Sequence, residues 1–292
     1  SSAASDVYKR QGEGVDLRIR FRHPGLKRFL WLATPLMLGQ SIVVLDEQLV
    51  RVFGSLAGVG AVSWLNYARR IMLVPVGVVA QAAGVASYPF LAELFARQEW
   101  ARFEETLGAA LRNVVTLLIP ISVWMSLVSE PTVRLIFEQG SFAGEDTRKT
   151  AVLLVILLSA VCFWGGQQIL GRAFYARQDT LTPAVLGTLI TLASIPIFYG
   201  LTRTAGVYGV AAASALSIAS YTVVLGLSWW RRFGGAPFRG LAWAASRVTL
   251  VSGLAAAASW RLLPVLTAHA VLEPLPAAFL SIVLSGFVFG AV

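Results

Sequence analysis

Apolar residues run along this chain in long blocks, broken by short charged connections. Eight blocks reach the 18 or so residues that a bilayer-crossing helix needs: 29–53, 64–90, 107–130, 149–171, 183–201, 207–230, 241–263 and 275–292. They predict an all-α integral membrane protein, a polytopic helical bundle of about eight transmembrane helices. No stretch shows the short alternating segments of a transmembrane barrel. Two connections carry apolar residues among charges and are expected to be interfacial helices. One is 91–106, with Leu91, Leu94, Phe95, Trp100 and Phe103; the other is 131–138, which Gly140 and Gly144 then end. Pro75, Pro120 and Pro196 fall inside blocks, where neighbouring helices can satisfy the carbonyls a kink frees. The block 207–230 is rich in small residues, which favours close helix packing.

The block 64–90 has a pattern of its own. At about 100° per residue, Asn66, Arg70, Gly77, Gln81, Gly84 and Tyr88 fall within about 40° of one line. Met72, Val79, Ala86 and Phe90 lie opposite. A small-and-polar stripe headed by Arg70 and backed by an apolar face predicts a helix set between lipid and a wet cavity.

Composition strengthens the membrane reading. The chain of 292 residues is 57% hydrophobic and 13% charged, whereas soluble domains carry about 25% charge. The net charge of +9 raises the question of a nucleic-acid partner. The basic residues answer it, because they flank the apolar blocks, as the positive-inside rule requires. Arg18, Arg20, Arg22, Lys27, Arg28, Arg97, Arg102, Arg112, Arg172, Arg177, Arg231, Arg232 and Arg239 fall in the connections 17–28, 91–112, 171–182 and 231–240. The alternate connections and their flanks hold only Arg134, Arg148, Lys149, Arg203 and Arg261. This bias places both ends of the chain in the cytoplasm, as a multi-pass protein. Cys162 stands alone inside an apolar block, so neither a disulfide framework nor a cysteine metal site is expected.

Residues 1–16 are polar, lack an initial Met and match nothing downstream, so they are set aside as a non-native or disordered leader. The last block stops at Val292 without a polar flank. The chain is therefore expected to be part of a longer protein.

Charges inside apolar blocks are the residues that call for a reason, since each costs about 2.5–3.5 kcal/mol or more at mid-membrane unless paired or wet. The first block carries Asp46, Glu47 and Arg51. Glu47 and Arg51 are spaced i, i+4 in the favourable order, with Gln40 on their face. Asp46 points about 100° away and needs another partner. Two readings stand for this cluster: a cavity-lining site for a charged substrate or coupled ion, and a structural ion pair near the helix end. Arg69 and Arg70 also point about 100° apart, so only Arg70 heads the polar stripe. Its planar, always-charged fork suits phosphate oxygens, and the bland alternative is interfacial snorkelling. The connection 171–183, with Arg172, Arg177 and Asp179, reads as a charged anchor or as a gating or headgroup contact. Trp229, Trp230, Arg231 and Arg232 read as an interface belt. Enzyme chemistry is poorly supported. The two histidines, His23 and His269, sit beside proline-containing turns, and no metal-diphosphate pair, phosphate cradle or Ser-His-Asp set can be assembled. No cofactor or metal is expected.

The string SWLNYARRIMLVPVGVVAQAAGVASYPFL resembles the eighth-helix region of the MurJ/MviN family of lipid II flippases, with its Y-A-x-R-L-x-x-x-P-x-G pattern. ATPLMLGQSIVVLDEQLVRVFGS, LIFEQGSFAGEDT and GRAFYARQDTLTP agree in order and spacing, so the resemblance runs from about Pro24 to Phe233. It implies the multidrug/oligosaccharidyl-lipid/polysaccharide exporter superfamily, a fold of fourteen helices in two lobes. Residues 17–233 would be the six helices of the C-terminal lobe, and 234–292 two additional helices that form a groove for a polyprenyl tail. The implied activity is flipping of lipid II across the bacterial cytoplasmic (inner) membrane by alternating access. The implied partners are membrane lipids and the N-terminal lobe of the same protein. On this reading Arg70 contacts the headgroup, and Arg51, Glu47, Arg69, Asn66 and Gln81 are further substrate-binding candidates. The chain departs from the pattern at Arg69, where many relatives carry Asp. Some relatives bind sodium through acidic and amide residues on the first and fifth blocks; 184–201 lacks Asp and Asn, which leaves Asp46 as the ion-coupling candidate. Export of another polyprenyl-linked polysaccharide, or a transport-inactive scaffold recruiting partners through 91–112, are the alternatives.

Overall fold

The computed structural model describes residues 45–140, 142 and 144–267, with 282–283, 285–286 and 289–290 near the end of the chain. The leader, Gln40, most of the first apolar block and nearly all of the eighth lie outside the described residues. The described elements are helices joined by tight turns. They are α1 (45–56), α2 (Ala61–Pro75), a π-helical segment (Val76–Gln81), α3 (Ala82–Ala96) and α4 (Trp100–Leu127). After these come α5 (Ser129–Phe137), α6 (Gly144–Leu158), α7 (Val161–Ala176), α8 (Leu181–Phe233), a 3-10 turn (Ala236–Phe238) and α9 (Leu241–Thr267).

The apolar blocks became helices because a buried or lipid-facing backbone must satisfy its own N–H and C=O groups. Among the described residues, four continuous helices are long and apolar enough to span a membrane, and α6 with α7 makes a fifth span bent by 42°. The longest, α8, holds two of the expected spans. At Gly206, φ is 56° and ψ is −133°, a conformation that costs little only for glycine. The chain folds back there. The Tyr221 hydroxyl donates to the Pro183 carbonyl at 2.9 Å, which fixes the two arms antiparallel.

The region 91–106 is not one interfacial helix. α3 runs on through Leu91 and Phe95 to Ala96, and α4 starts at Trp100. The break is made by Gln98, at φ 58°, and by the Glu99 amide donating to the Leu94 carbonyl at 3.0 Å. The same turn recurs after α7, where Gln178 has φ 61° and the Asp179 amide donates to the Phe174 carbonyl at 3.0 Å. Both turns are written Ala-Arg-Gln-acid: Ala96-Arg97-Gln98-Glu99 and Ala176-Arg177-Gln178-Asp179. The short helix expected at 131–138 is present as α5. Gly140, at φ 62°, follows it, while Gly144 opens α6 instead of breaking a helix.

These loops sort to two ends. Turns 57–60, 128–140 and Gly206 lie at one end of the bundle, and turns 97–99, 177–180 and 234–240 at the other. The core between them is built from α2, α4, α6, α7 and α8, with Met72, Phe103, Leu118, Leu154, Phe174, Phe198 and Trp229 fully buried. α9 packs along α4.

At the second end, Arg177 sits among four rings. Its guanidinium carbon lies 3.6 Å from the Phe233 centroid, 4.9 Å from Trp100, 5.6 Å from Trp229 and 5.9 Å from Phe103. Burial holds this arginine below the usual range, against the pull of Glu104. A cation enclosed by π-faces gains up to about 2 kcal/mol at a desolvated site. Arg177→Ala is accordingly expected to cost about 2 kcal/mol, and Arg177→Lys less. The check is thermal unfolding of the detergent-solubilised protein; equal melting of Arg177→Ala and parent would show the rings gain nothing from the cation. Trp229 is fully buried in this cluster and is not part of an interface belt, whereas Trp230, at 60% exposure, fits one.

Candidate functional site

The site grows out of α2 and the π-helical segment. Pro75 has no N–H to continue the ladder, and from Val76 the helix opens to the wider π spacing until Gln81. Each such turn takes up an extra residue, so side chains after it lag in phase by about one position. The polar stripe read at constant phase therefore does not run straight. Arg70, Gly77 and Gln81 are exposed along one side, Asn66 is half-buried, and Gly84 is turned inward and buried. The opposite face, with Ile71, Met72, Val76 and Ala80, packs into the core. Of the residues expected on the apolar face, Met72 is buried in the core and Val79 half-buried, while Ala86 and Phe90 are exposed, so that face enters the core near its start and is open near its end.

Arg69 and Arg70 separate as their 100° offset requires. Arg69 turns inward and donates from Nη2 to Asp46 Oδ2 at 3.0 Å. Both side chains are largely buried, 12% and 13% exposed. Ser214 donates to the same carboxylate oxygen at 3.4 Å, while Asp46 Oδ1 has no partner among the described residues. The Arg69 guanidinium also lies 5.8 Å from the Trp164 ring centroid. A cavity of about 40 Å³ adjoins the pair, walled by Trp164, Gln167, Thr191, Ser217, Ile218 and Tyr221. So α1, α2, α7 and both arms of α8 meet around one buried ion pair. Asp46 has the further partner that its position on α1 demanded, and Arg69 supplies it.

Glu47 and Arg51 form the expected i, i+4 pair at 2.5 Å, but on the outer side of α1, about half exposed. Such a pair contributes about 0.3–0.5 kcal/mol. Asp46 and the Glu47–Arg51 pair therefore do not form one cluster. Arg70 is exposed and has no hydrogen-bond or ion-pair partner among the described residues. Its surroundings are held firmly. The Trp64 indole donates to Asp146 Oδ1 at 2.8 Å, Lys149 lies 4.5 Å from the Trp64 ring, and Tyr67 stacks on Phe137 at 4.4 Å. The start of α2 is thus tied to α5 and α6 while Arg70 stays open.

Gln81, the last residue of the π-helical segment, is bound by Arg172 of α7. Nη2 donates to its Oε1 at 2.9 Å and Nη1 to its carbonyl at 3.5 Å. Arg172 and Arg177 lie five residues apart in one motif yet do different things, one reaching the π-helical segment and the other the ring cluster. Arg232 also has a specific role: it donates to Asp179 Oδ2 at 3.1 Å and to the Thr182 hydroxyl at 2.8 Å. Asp179 in turn accepts from the Thr182 amide at 2.9 Å in the first turn of α8. Spacing along the chain gave no sign of the contacts made by Arg172 and Arg232, which join residues 50 to 91 positions apart. Among the described residues no cluster of His, Cys, Asp and Glu could hold a metal.

A bundle of apolar spans with an arginine-bearing open face and a buried ion pair at its centre defines a polytopic all-α membrane protein. Solved structures with this fold agree. One described as "Lipid II flippase MurJ, inward closed conformation" superposes with a TM-score of 0.70 at 21% identity, covering 94% of this chain and 55% of that one. A MOP superfamily transporter from Pyrococcus furiosus gives 0.60 at 16% identity, covering 88% and 62%. Within this class, the chain belongs to the lipid II flippase MurJ family, whose profile matches residues 7–279. The "Probable lipid II flippase MurJ" of Haemophilus influenzae is 26% identical over 235 residues, 75% of this chain and 44% of that protein. The "Lipid II flippase MurJ" of Burkholderia cenocepacia is 30% identical over 175 residues, 58% of this chain and 33% of its own length. The matched region is less than half the length of either relative.

Proposed function

We propose that this chain forms one wall of the path by which a lipid II flippase carries its headgroup across the bacterial inner membrane. The remainder of the protein supplies the facing lobe, and alternating access between the lobes moves the substrate without covalent chemistry. The observation that carries this reading is Arg70: a guanidinium on a membrane-spanning helix, exposed on the open side and without a carboxylate partner among the described residues. An unpaired intramembrane cation is costly unless it meets a cavity or a ligand, and a diphosphate suits its fork. The positive-inside bias puts the Arg177 end in the cytoplasm and Arg70 toward the outer side. Asn66 and Gln81 border the same face. Asp46 has an internal counter-cation in Arg69, and this supports a transport cycle that uses no sodium ion at this carboxylate.

The test is complementation by the full-length protein as the sole flippase. Arg70→Gln is expected to reduce headgroup affinity about tenfold to a hundredfold, the cost of losing a charge-assisted bond, and so to fail to support growth. Normal growth of Arg70→Gln cells at native expression would rule Arg70 out as the headgroup grip.

A further inference from the structure

A groove of about 580 Å³ runs between α4, α7, the second arm of α8 and the start of α9. None of its lining residues comes from α1, α2, the π-helical segment or α3, so it stands apart from the open face that carries Arg70. Its floor is short of side chains. A Cβ on Gly226 would meet only Phe238 and Leu170, at 3.7–3.8 Å, and one on Gly166 only Thr222, at 3.4 Å. Phe163, Val223, Leu227 and Trp230 line it and are exposed, so it opens sideways on the outer surface of the bundle. Apolar walls open to a bilayer are filled by hydrocarbon, since a void there would forfeit dispersion contacts.

One end of the groove is charged. Three cations each follow a lining residue: Arg112 after Leu111, Arg231 after Trp230 and Arg239 after Phe238. The turn 234–240 is fixed on α4 beside them. A Cβ on Gly108 would stand 2.9 Å from the Pro237 carbonyl oxygen, and Arg112 donates from Nη1 to the Arg239 carbonyl at 3.3 Å. α9 starts here with no acidic side chain in its first turn, so its N-terminal N–H groups add to the positive field. Arg232 is engaged elsewhere, by Asp179. Along the chain nothing offsets these charges, because residues 180–272 include no Asp or Glu. On the orientation that the positive-inside bias favours, this is the cytoplasmic end.

We propose that this groove binds an anionic phospholipid of the cytoplasmic leaflet. One acyl chain lies between α9 and the rest of the bundle, and the phosphate sits at Arg231, Arg239 and the start of α9. Basic pockets between membrane helices on the cytoplasmic side hold headgroups of this kind. The lipid then joins α9 to the bundle by filling the space over Gly166 and Gly226. The site does not depend on the flippase reading. It is also separate from the hollow on another side of α9, where Trp243, Arg247 and Val251 meet Thr116 of α4 and Phe289.

The experiment titrates the full-length protein in detergent with phosphatidylglycerol, phosphatidylcholine and a polyprenyl phosphate, each read by native mass spectrometry. Phosphatidylglycerol is expected to bind about tenfold more tightly than phosphatidylcholine, the size of one charge-assisted bond. Arg231→Gln combined with Arg239→Gln is expected to abolish that preference. Both arginines are exposed, so this variant removes no packed side chain. Gly226→Leu drives a side chain into the floor and is expected to weaken both phospholipids about tenfold, leaving the polyprenyl phosphate unchanged. Equal affinity for the two phospholipids, or a preference that survives the double arginine variant, would overturn the assignment. So would a polyprenyl phosphate weakened by Gly226→Leu as much as phosphatidylglycerol, which would give the groove to a prenyl tail. If Gly226→Leu does not fold, the arginine variant decides alone.

Discussion

Replacing Arg69 by alanine is expected to remove about 3–5 kcal/mol of stability, the largest single-residue effect in this bundle. Asp46 is enclosed, bonded to Arg69 at 3.0 Å and to Ser214 at 3.4 Å. Removing the guanidinium leaves a buried carboxylate without its counter-cation, and breaking a buried pair on one side costs about this much. The sign reverses when both partners go. Asp46→Leu combined with Arg69→Met puts two apolar side chains where two desolvated charges stood, and is expected to lie within about 1–2 kcal/mol of the parent or above it. The cycle of two single variants and the double, read by thermal unfolding in detergent, measures the coupling. Strictly additive losses would show that the two charges do not depend on each other. Arg51→Ala is the internal comparison: its pair with Glu47 is half exposed, and the loss should not exceed about 0.5 kcal/mol.

Gly209→Ala is expected to have an effect nearly as large, for a purely steric reason. A Cβ at Gly209 would lie 1.9 Å from the Leu201 carbonyl oxygen, 2.4 Å from its carbon and 3.0 Å from the Thr202 nitrogen. These are backbone atoms of the opposing arm, so no rotamer change relieves the overlap. The arms would have to part, disturbing the contacts that both make with Asp46's surroundings through Ser214 and Thr191. A loss of about 3 kcal/mol or more is expected, at the upper end of overpacking costs. Gly226→Ala on the same arm is the control. Its Cβ would meet Phe238 and Leu170 at 3.7–3.8 Å, ordinary contact, and alanine favours the helix by up to about 1 kcal/mol. If the two variants melt alike, the close approach at Gly209 does not hold the arms together.

The spans were legible because the membrane imposes one rule on every long apolar run, and α4, both arms of α8 and α9 fall where that rule puts them. The Glu47–Arg51 pair was legible because i, i+4 spacing on a helix fixes proximity by itself. The offset between Arg69 and Arg70, and between Asp46 and Glu47, was also readable from helical angle. The partner of Asp46 was not. Arg69 is 23 residues away on another helix, and nothing in one chain says which faces of α1 and α2 meet. The stripe below Arg70 was misread for a different reason. A constant angle per residue assumes one helix type, and the π-helical segment after Pro75 shifts Gly84 from the open face to the contact with Arg172. Arg172 and Arg177 looked alike as flanking charges, and only packing separates a cation laid on a glycine from one held among four rings. The repeated Ala-Arg-Gln-acid string was the one local signal available there. It points to two equal turns, which the structure has, but says nothing about the arginines within them.

The reversal at Gly206 also bears on how this part of the protein is made. Two apolar arms joined by so tight a turn cannot be delivered to the bilayer one after the other as independent segments. They partition together as a helical hairpin, their backbone bonds already closed. Between residues 183 and 230 the hairpin carries a single charge, Arg203, at its tip, with its guanidinium carbon 4.5 Å from the Tyr199 ring centroid. On the orientation that the positive-inside bias favours, biogenesis of these two spans asks the insertion machinery to move one cation across the membrane.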